Sequence, residues 1–284
     1  MEFLYLIIAS LSGSAQSVIG GFYNKKKASP FKYGLLLSLT VAVFFVVSAG
    51  FKLSFQWDTV FWAILFGVSY MCATVMNLLA IKHGGVPLTV LVMSYSLIIP
   101  TVFAIVAYGE YPAWTFYLGL VFLMISLFFI GVPRKSVEKK QINLKWLICI
   151  TFAFVCNGLC ALLQTHYQRL SGGLYRSEFM IIAMVIVVIG QLIALFFDRK
   201  TEYEASFKRA FMGAMTGVFN GVVNLLIMVL VGLMSSNMVF PLYSGISLVT
   251  SVIASRIFFK KNPDLLAYIA ICVGLIAIIF LNIK

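Results

Sequence analysis

The segment FMIIAMVIVVIGQLIALFF, which covers Phe179–Phe197, contains no charged residue and is long enough to cross a lipid bilayer. A membrane-spanning helix needs about 20 consecutive residues that are predominantly apolar. Nine other runs in the chain have a similar length and composition. The ten predicted spans are Phe3–Gly21, Phe31–Gly50, Val60–Ile81, Val86–Tyr108, Ala113–Val132, Leu144–His166, Phe179–Phe197, Phe211–Leu233, Met238–Phe259 and Leu265–Ile283.

The composition of the whole chain agrees with this prediction. Of the 284 residues, 62% are hydrophobic and only 11% are charged, whereas a soluble domain has about 25% charged residues. A soluble fold of this size buries only about three quarters of its surface and would leave much apolar surface in water. A soluble enzyme, a disordered chain and a fibrous repeat are therefore excluded. Continuous apolar runs, rather than short alternating segments, predict an all-α, polytopic membrane protein.

The net charge of +12 is distributed unevenly over the predicted loops. Seventeen Lys and Arg residues lie in or beside the loops that follow helices 1, 3, 5, 7 and 9, and four lie on the other side. The positive-inside rule places the basic side in the cytoplasm and both termini outside it. We therefore expect a multi-pass protein of a bacterial cytoplasmic membrane, surrounded by lipid, with no nucleic-acid partner.

The ten predicted helices divide into two sets of five. Residues 1–132 form the first set, residues 144–284 the second, and the basic loop 133–143 joins them. Because five is odd, the second set enters the membrane from the opposite side, which predicts an inverted repeat. At an offset near 150, the matched positions are Gly67 and Gly217, Val68 and Val218, Tyr70 and Asn220, Thr74 and Asn224, Gly85 and Ser235, Ser94 and Ser244, and Thr101 and Ser251.

One stretch has a pattern known from a transporter family. It runs from Gly84-Gly85-Val86-Pro87-Leu88 through Pro100-Thr101-Val102-Phe103-Ala104 to Tyr108-Gly109-Glu110, and Gly119 follows. This stretch resembles the fourth helix of EamA-type proteins, the ten-helix branch of the drug/metabolite transporter superfamily. The resemblance implies a two-fold helix layout and carriage of small polar or amphipathic molecules such as amino acids, choline-like cations or nucleotide sugars. Many members have both termini in the cytoplasm, so the orientation given by the Lys and Arg count departs from that pattern.

Polar residues inside the predicted spans are candidates for a central cavity, because an unpaired polar group in hydrocarbon is costly. Tyr70, Thr74 and Asn77 share one face of helix 3, and Asn220 and Asn224 share one face of helix 8 with Thr216. The predicted substrate-binding residues are Tyr70, Thr74, Asn77, Ser94, Tyr95, Asn157, Gln164, Asn220, Asn224, Tyr243 and Ser247. The alternative is that these groups form hydrogen bonds that only hold the helices together.

Rows of small residues are interpreted differently. Gly213, Gly217 and Gly221 follow one another at intervals of four on helix 8, and Gly13, Ser17 and Gly21 do so on helix 1. This spacing allows two helix backbones to approach closely, so we expect helix contacts rather than substrate contacts at these residues.

Ionisable residues are nearly absent from the interiors of the predicted spans. Glu110 and His166, both at helix ends, are the candidates for a gate or for coupling to an ion. A solvated carboxylate and an interfacial histidine are the alternatives. Because a proton-driven carrier usually needs a titrating group at depth, facilitated transport or exchange is at least as well supported.

The pattern as a whole predicts a carrier that moves a small neutral or zwitterionic solute by alternating access, as a monomer or a homodimer. No metal site, cofactor or catalytic residue is predicted, because the five cysteines lie in apolar runs and no Ser/His/Asp set or carboxylate pair is visible. A membrane-embedded enzyme, a lipid-handling protein and a non-transporting receptor remain as alternatives.

Overall fold

In the computed structural model, the described residues are 1–23, 30–54, 56–84, 89, 92–93, 95–96, 98–109, 112–131, 144–197, 207–259 and 265–282. These residues form α-helices and short turns, and no strand occurs among them. The all-α prediction is therefore confirmed. Most of the basic loop residues that carry the predicted charge asymmetry, including 133–143, lie outside the described part of the chain.

Ten helices are described, and their ends agree closely with the apolar runs. They are α1 (Glu2–Tyr23), α2 (Pro30–Ser48), α3 (Trp57–Gly84), α4 (Ile98–Tyr108), α5 (Trp114–Gly131), α6 (Leu144–Leu170), α7 (Arg176–Phe197), α8 (Phe207–Leu233), α9 (Ser236–Phe259) and α10 (Leu265–Asn282). The agreement is close because hydropathy changes sharply where each helix meets its loop. In the fourth span the helix is described over Ile98–Tyr108, and most of residues 85–97 lie outside the described part of the chain.

Six of these helices, α1, α2, α3, α6, α7 and α8, are long and apolar enough to cross a membrane. The other four contain shorter apolar stretches of 10–17 residues within the described part. Large apolar side chains also cover the outer surface, such as Val43 and Val47 on α2 and Ile189 on α7. An apolar surface of this extent is unfavourable in water and fits contact with lipid. These features are those of a multi-pass membrane protein.

The helices of residues 1–132 make their main contacts with helices of residues 144–284. Helix α3 lies against α6 and α7, α8 lies against α1 and α2, α2 also contacts α7, and α5 lies along α10. In the first of three core clusters among the described residues, Phe179 of α7 contacts Phe66 of α3 and stacks on Tyr167 of α6. In the second, Leu6 of α1 and Phe116 of α5 lie with Leu230 of α8, Leu242 of α9 and Leu281 of α10. The two halves of the chain therefore share their cores.

Two glycines allow close contacts between helix backbones of the two halves. A Cβ atom at Gly67 of α3 would lie 2.8 Å from the Ala183 carbonyl oxygen of α7. A Cβ atom at Gly217 of α8 would lie 2.7 Å from the Leu37 carbonyl oxygen of α2. Because the obstacle in each case is backbone, a side chain at either position forces two helices apart. The expectation that the row Gly213, Gly217 and Gly221 makes helix contacts is confirmed, since all three face α2.

Alanine at either of these two glycines is expected to destabilise the protein. Overpacking in a well-packed core typically costs about 1–3 kcal/mol, so Gly67→Ala and Gly217→Ala should each lower the midpoint of thermal unfolding in detergent. Gly20→Ala is the matched control, because its Cβ would meet only the Tyr33 hydroxyl, at 3.4 Å. Midpoints of Gly67→Ala and Gly217→Ala no lower than that of Gly20→Ala would contradict the close contacts.

Candidate functional site

Five polar side chains lie together between four helices, and hydrogen bonds link four of them. The Asn220 Nδ2 group donates to Gln16 Oε1 at 3.1 Å, and Asn224 Nδ2 donates to Asn220 Oδ1 at 3.0 Å. The Gln164 Nε2 group donates to the Asn224 carbonyl oxygen at 3.3 Å. The Tyr70 hydroxyl lies beside the Asn220 side chain. We call Gln16, Tyr70, Gln164, Asn220 and Asn224 the central polar network.

The central polar network lies deep within the helices that supply it. Tyr70 is near the middle of α3 and Asn220 is near the middle of α8. Gln164 is buried, whereas Tyr70, Asn220 and Asn224 are half-buried. The network consists of amides and a phenol, which can both donate and accept hydrogen bonds, and it contains no charged side chain. This combination can bind a solute through exchange of hydrogen bonds.

A second pair of polar groups continues the network toward the start of α8. The Tyr33 hydroxyl of α2 donates to Thr216 Oγ1 at 2.9 Å, and Thr216 is one helical turn before Asn220. Thr216 is buried. Polar atoms therefore follow one face of α8 from Thr216 through Asn220 to Asn224, as the spacing of these residues predicted.

The other candidates on α3 and α6 have separate environments. The Thr74 hydroxyl donates to the Tyr70 carbonyl oxygen of its own helix. Asn77 Oδ1 is buried and has no hydrogen-bond partner among the described residues. Asn157 Nδ2 donates to Ser96 Oγ at 2.6 Å and so connects α6 to the segment before α4. Ser94 and Glu110 lie outside the described residues.

Tyr95, Tyr243 and Ser247 lie in other helix interfaces. The Tyr95 hydroxyl donates to the Met124 carbonyl oxygen at 3.0 Å, beside an apolar pocket between α4, α5 and α9. Tyr243 and Ser247 of α9 face α1, where the Tyr243 hydroxyl lies against Gly13. Ser14 and Thr250 hydrogen-bond each other across this α1–α9 interface at 2.6 Å. These contacts have the character of interhelical hydrogen bonds in membrane proteins.

His166 belongs to an aromatic cluster at the last turns of α6. Its Nδ1 atom hydrogen-bonds the Tyr108 hydroxyl of α4 at 2.9 Å, and Trp62 of α3 meets the imidazole edge-on at 4.9 Å between ring centroids. The Arg169 guanidinium lies 4.0 Å from the centroid of the Tyr108 ring, a cation–π contact. The cluster joins α3, α4 and α6 and so can hold this end of the protein closed.

The sequence analysis did not select two residues that bond to the polar face of α8. Gln16 bonds directly to Asn220, and Tyr33 bonds to Thr216. Gln16 is the one side-chain amide in α1, so the criterion that selected Asn157 and Gln164 also selects it. Tyr33 lies only a few residues inside α2, where a tyrosine is equally typical of the membrane interface, and the sequence carried no signal for its partner.

Gln191 of α7 is a fully buried amide of a different kind. Its side chain has no exposed surface, and neither Nε2 nor Oε1 has a hydrogen-bond partner in the described part of the structure. The amide lies against Gly34 of α2, which offers it no side chain. Such a group destabilises the fold by the cost of its desolvation.

Comparisons with known proteins place the chain by its fold alone. No protein-family model and no curated protein match the sequence. A solved structure described only as "Crystal structure of protein" matches 99% of this chain and 96% of its own, with a TM-score of 0.79 and 11% sequence identity. At that identity the match shows a shared arrangement of helices and carries no information about activity.

Substitutions of Gln191 and Asn220 are expected to change the stability of the protein in opposite directions. Gln191→Met removes an unpaired buried amide at similar volume and should raise the unfolding midpoint in detergent, because such a group costs about 1–3 kcal/mol. Asn220→Leu leaves the side chains of Gln16 and Asn224 without their partner and should lower the midpoint by a similar free energy. An Asn220→Leu midpoint no lower than that of wild type would show that the hydrogen bonds of Asn220 contribute nothing to the fold, and a Gln191→Met midpoint no higher than that of wild type would contradict the unpaired amide.

Proposed function

We propose that the chain forms ten spans as two inverted repeats, of residues 1–132 and 144–284. The helix contacts support this proposal. In this arrangement α1 corresponds to α6, α2 to α7, α3 to α8, α4 to α9 and α5 to α10. The α3–α6 contact then corresponds to the α8–α1 contact, and the α3–α7 contact corresponds to the α8–α2 contact. Three further contacts, α2–α7, α4–α9 and α5–α10, each join two corresponding helices. Gly67 and Gly217 make the same kind of contact at repeat-related positions.

The proposed activity is carriage of a small polar or amphipathic solute across the membrane by alternating access. The observation that supports it is the position of the Tyr70 hydroxyl beside the Asn220 side chain, since these residues occupy equivalent positions of the two proposed repeats. Two equivalent residues can touch only close to the axis that relates them. Inverted-repeat transporters bind their substrates in this position, between the halves and near the middle of the membrane.

The chemistry of the central polar network favours a neutral or zwitterionic solute. Its amides are bonded to one another, so a bound solute replaces those bonds with its own donors and acceptors. This exchange costs little in either direction, because the hydrogen bonds lost and gained are of the same kind. A carrier requires such a site, since its substrate must leave as readily as it binds.

The proposal includes membership in the EamA-type branch of the drug/metabolite transporters and an orientation in the membrane. The residue pattern of the fourth span supports the family. The excess of Lys and Arg on one side supports basic loops in the cytoplasm and termini outside it. We also propose that the aromatic cluster of Tyr108, His166 and Trp62 is a gate between α3, α4 and α6, since its contacts hold these helices together.

Purified protein in liposomes should take up one or more members of a panel of labelled amino acids, amines and other small metabolites. For a transported solute, Asn224→Ala should weaken the apparent affinity about tenfold, which corresponds to the loss of one hydrogen bond. Cys272→Ser is the control, because Cys272 is exposed on α10. Each variant is compared at equal amounts of monodisperse protein in the vesicles. Absence of flux for the whole panel, or unchanged affinity in Asn224→Ala, would contradict the proposal.

A further inference from the structure

We propose that Arg176 and Gln168 form a subsite that binds the carboxylate of the transported solute; this rests on the proposed function. We call these two residues the arginine subsite. It lies where α6 ends, α7 begins and α8 ends. The inference narrows the neutral or zwitterionic solute proposed above to a small zwitterion that carries a carboxylate.

The guanidinium of Arg176 is held in place by its surroundings. Its Nε group donates to Gln168 Oε1 at 2.8 Å, and Gln168 is only 3% exposed. A Cβ atom on Gly232 of α8 would lie 3.7 Å from Nη2, so the guanidinium is close to the end of that helix. Gly173 has a φ of +82°, and a Cβ atom there would collide with the guanidinium. The turn between α6 and α7 is therefore shaped around the Arg176 side chain.

No acidic side chain in the described ranges neutralises this arginine. The Arg176 side chain has no ion pair with a described residue, and its one hydrogen bond to such a residue is the bond to Gln168. Glu178, two residues further along, is buried and accepts a hydrogen bond from the Ser54 backbone N–H at 3.1 Å. That carboxylate is therefore engaged with the loop between α2 and α3. The Nη groups of Arg176 keep their donors for a ligand.

A second unpaired donor lies on the same amide that holds Arg176. Gln168 Nε2 is buried and has no acceptor among the described residues. A guanidinium and an amide N–H2 side by side, without an acceptor, match the two oxygens of a carboxylate. Arg176 is also the first residue of α7, where the helix dipole favours negative charge. Since Nε2 is buried, the carboxylate reaches it when α6 and α8 separate, which is the kind of movement that alternating access requires.

The arginine subsite and the central polar network share one helix interface. Gln164 of the network is one turn before Gln168 on α6, and Asn224 is about two turns before Gly232 on α8. A solute that binds Arg176 with its carboxylate can therefore pass along α6 and α8 to the amides of the network. Arg169 does not offer the same site, because its guanidinium is stacked on Tyr108.

The test compares binding of carboxylates with binding of the matching carboxamides. The probes are L-alanine and L-alaninamide, L-phenylalanine and L-phenylalaninamide, and acetate and acetamide, titrated against full-length protein in detergent with the unfolding midpoint as the readout. At least one carboxylate should bind wild-type protein about tenfold more tightly than its amide, as expected for one charge-assisted hydrogen-bonded pair. Arg176→Gln should bring this ratio to about one, and Lys145→Gln, at an exposed position at the start of α6, should leave it unchanged.

A second variant distinguishes loss of the arginine subsite from misfolding of the protein. Arg176→Lys keeps the charge but loses the planar fork, so it should fold as wild type and retain a ratio between those of wild type and Arg176→Gln. Equal binding of every carboxylate and its amide to wild-type protein, or an unchanged ratio in Arg176→Gln, overturns the subsite. Flux of a panel solute, together with equal binding of carboxylates and carboxamides, would support the proposed carrier function and overturn the arginine subsite. Carboxylate binding that depends on Arg176, without flux of any solute, would support a carboxylate site at Arg176 and contradict the proposed carrier function.

Discussion

The hydrogen bonds of the Asn220 amide connect helices from both halves of the chain. Through Gln16, this one side chain joins α8 to α1, and Asn224 extends the connection to Gln164 of α6, while Tyr70 of α3 lies beside it. An amide inside an apolar layer needs such partners, because no water replaces them. Any movement of one half relative to the other must therefore break these bonds or transfer them to a ligand.

The contacts around the central polar network differ in how readily they can change. At Gly67 and Gly217 the helix backbones touch, and no side chain is available to fill a gap between them. These contacts favour pairs of helices that move as rigid units. Hydrogen bonds between amides can be exchanged at nearly constant free energy. The structure thus combines stiff contacts between helix pairs with a polar interior that can exchange its partners, as a rocking mechanism needs.

The positions of the helices could be predicted from the sequence, because the length of an apolar run is a local property. The polar faces that carry Tyr70 and Asn220 could also be predicted, since their spacing is a local property and they recur at matched positions of the proposed repeat. The rotation of each helix about its axis was less predictable, because it depends on neighbours far away in the chain. Tyr243 illustrates this: it faces α1 because Gly13 leaves room for its hydroxyl. Gln191 was one residue in an apolar run, and only its surroundings show that its amide is unpaired.

Accessibility of the central polar network to water tests the central claim most directly. In a variant without its native cysteines, Asn224→Cys is exposed in oriented vesicles to a membrane-impermeant thiol reagent, added inside or outside. Val187→Cys, at a fully buried position of α7, is the control. The account predicts that Asn224→Cys reacts from both sides, more slowly when a transported solute is bound, whereas Val187→Cys does not react. Asn224→Cys that is as unreactive as the control from either side would show that the network only holds the helices together.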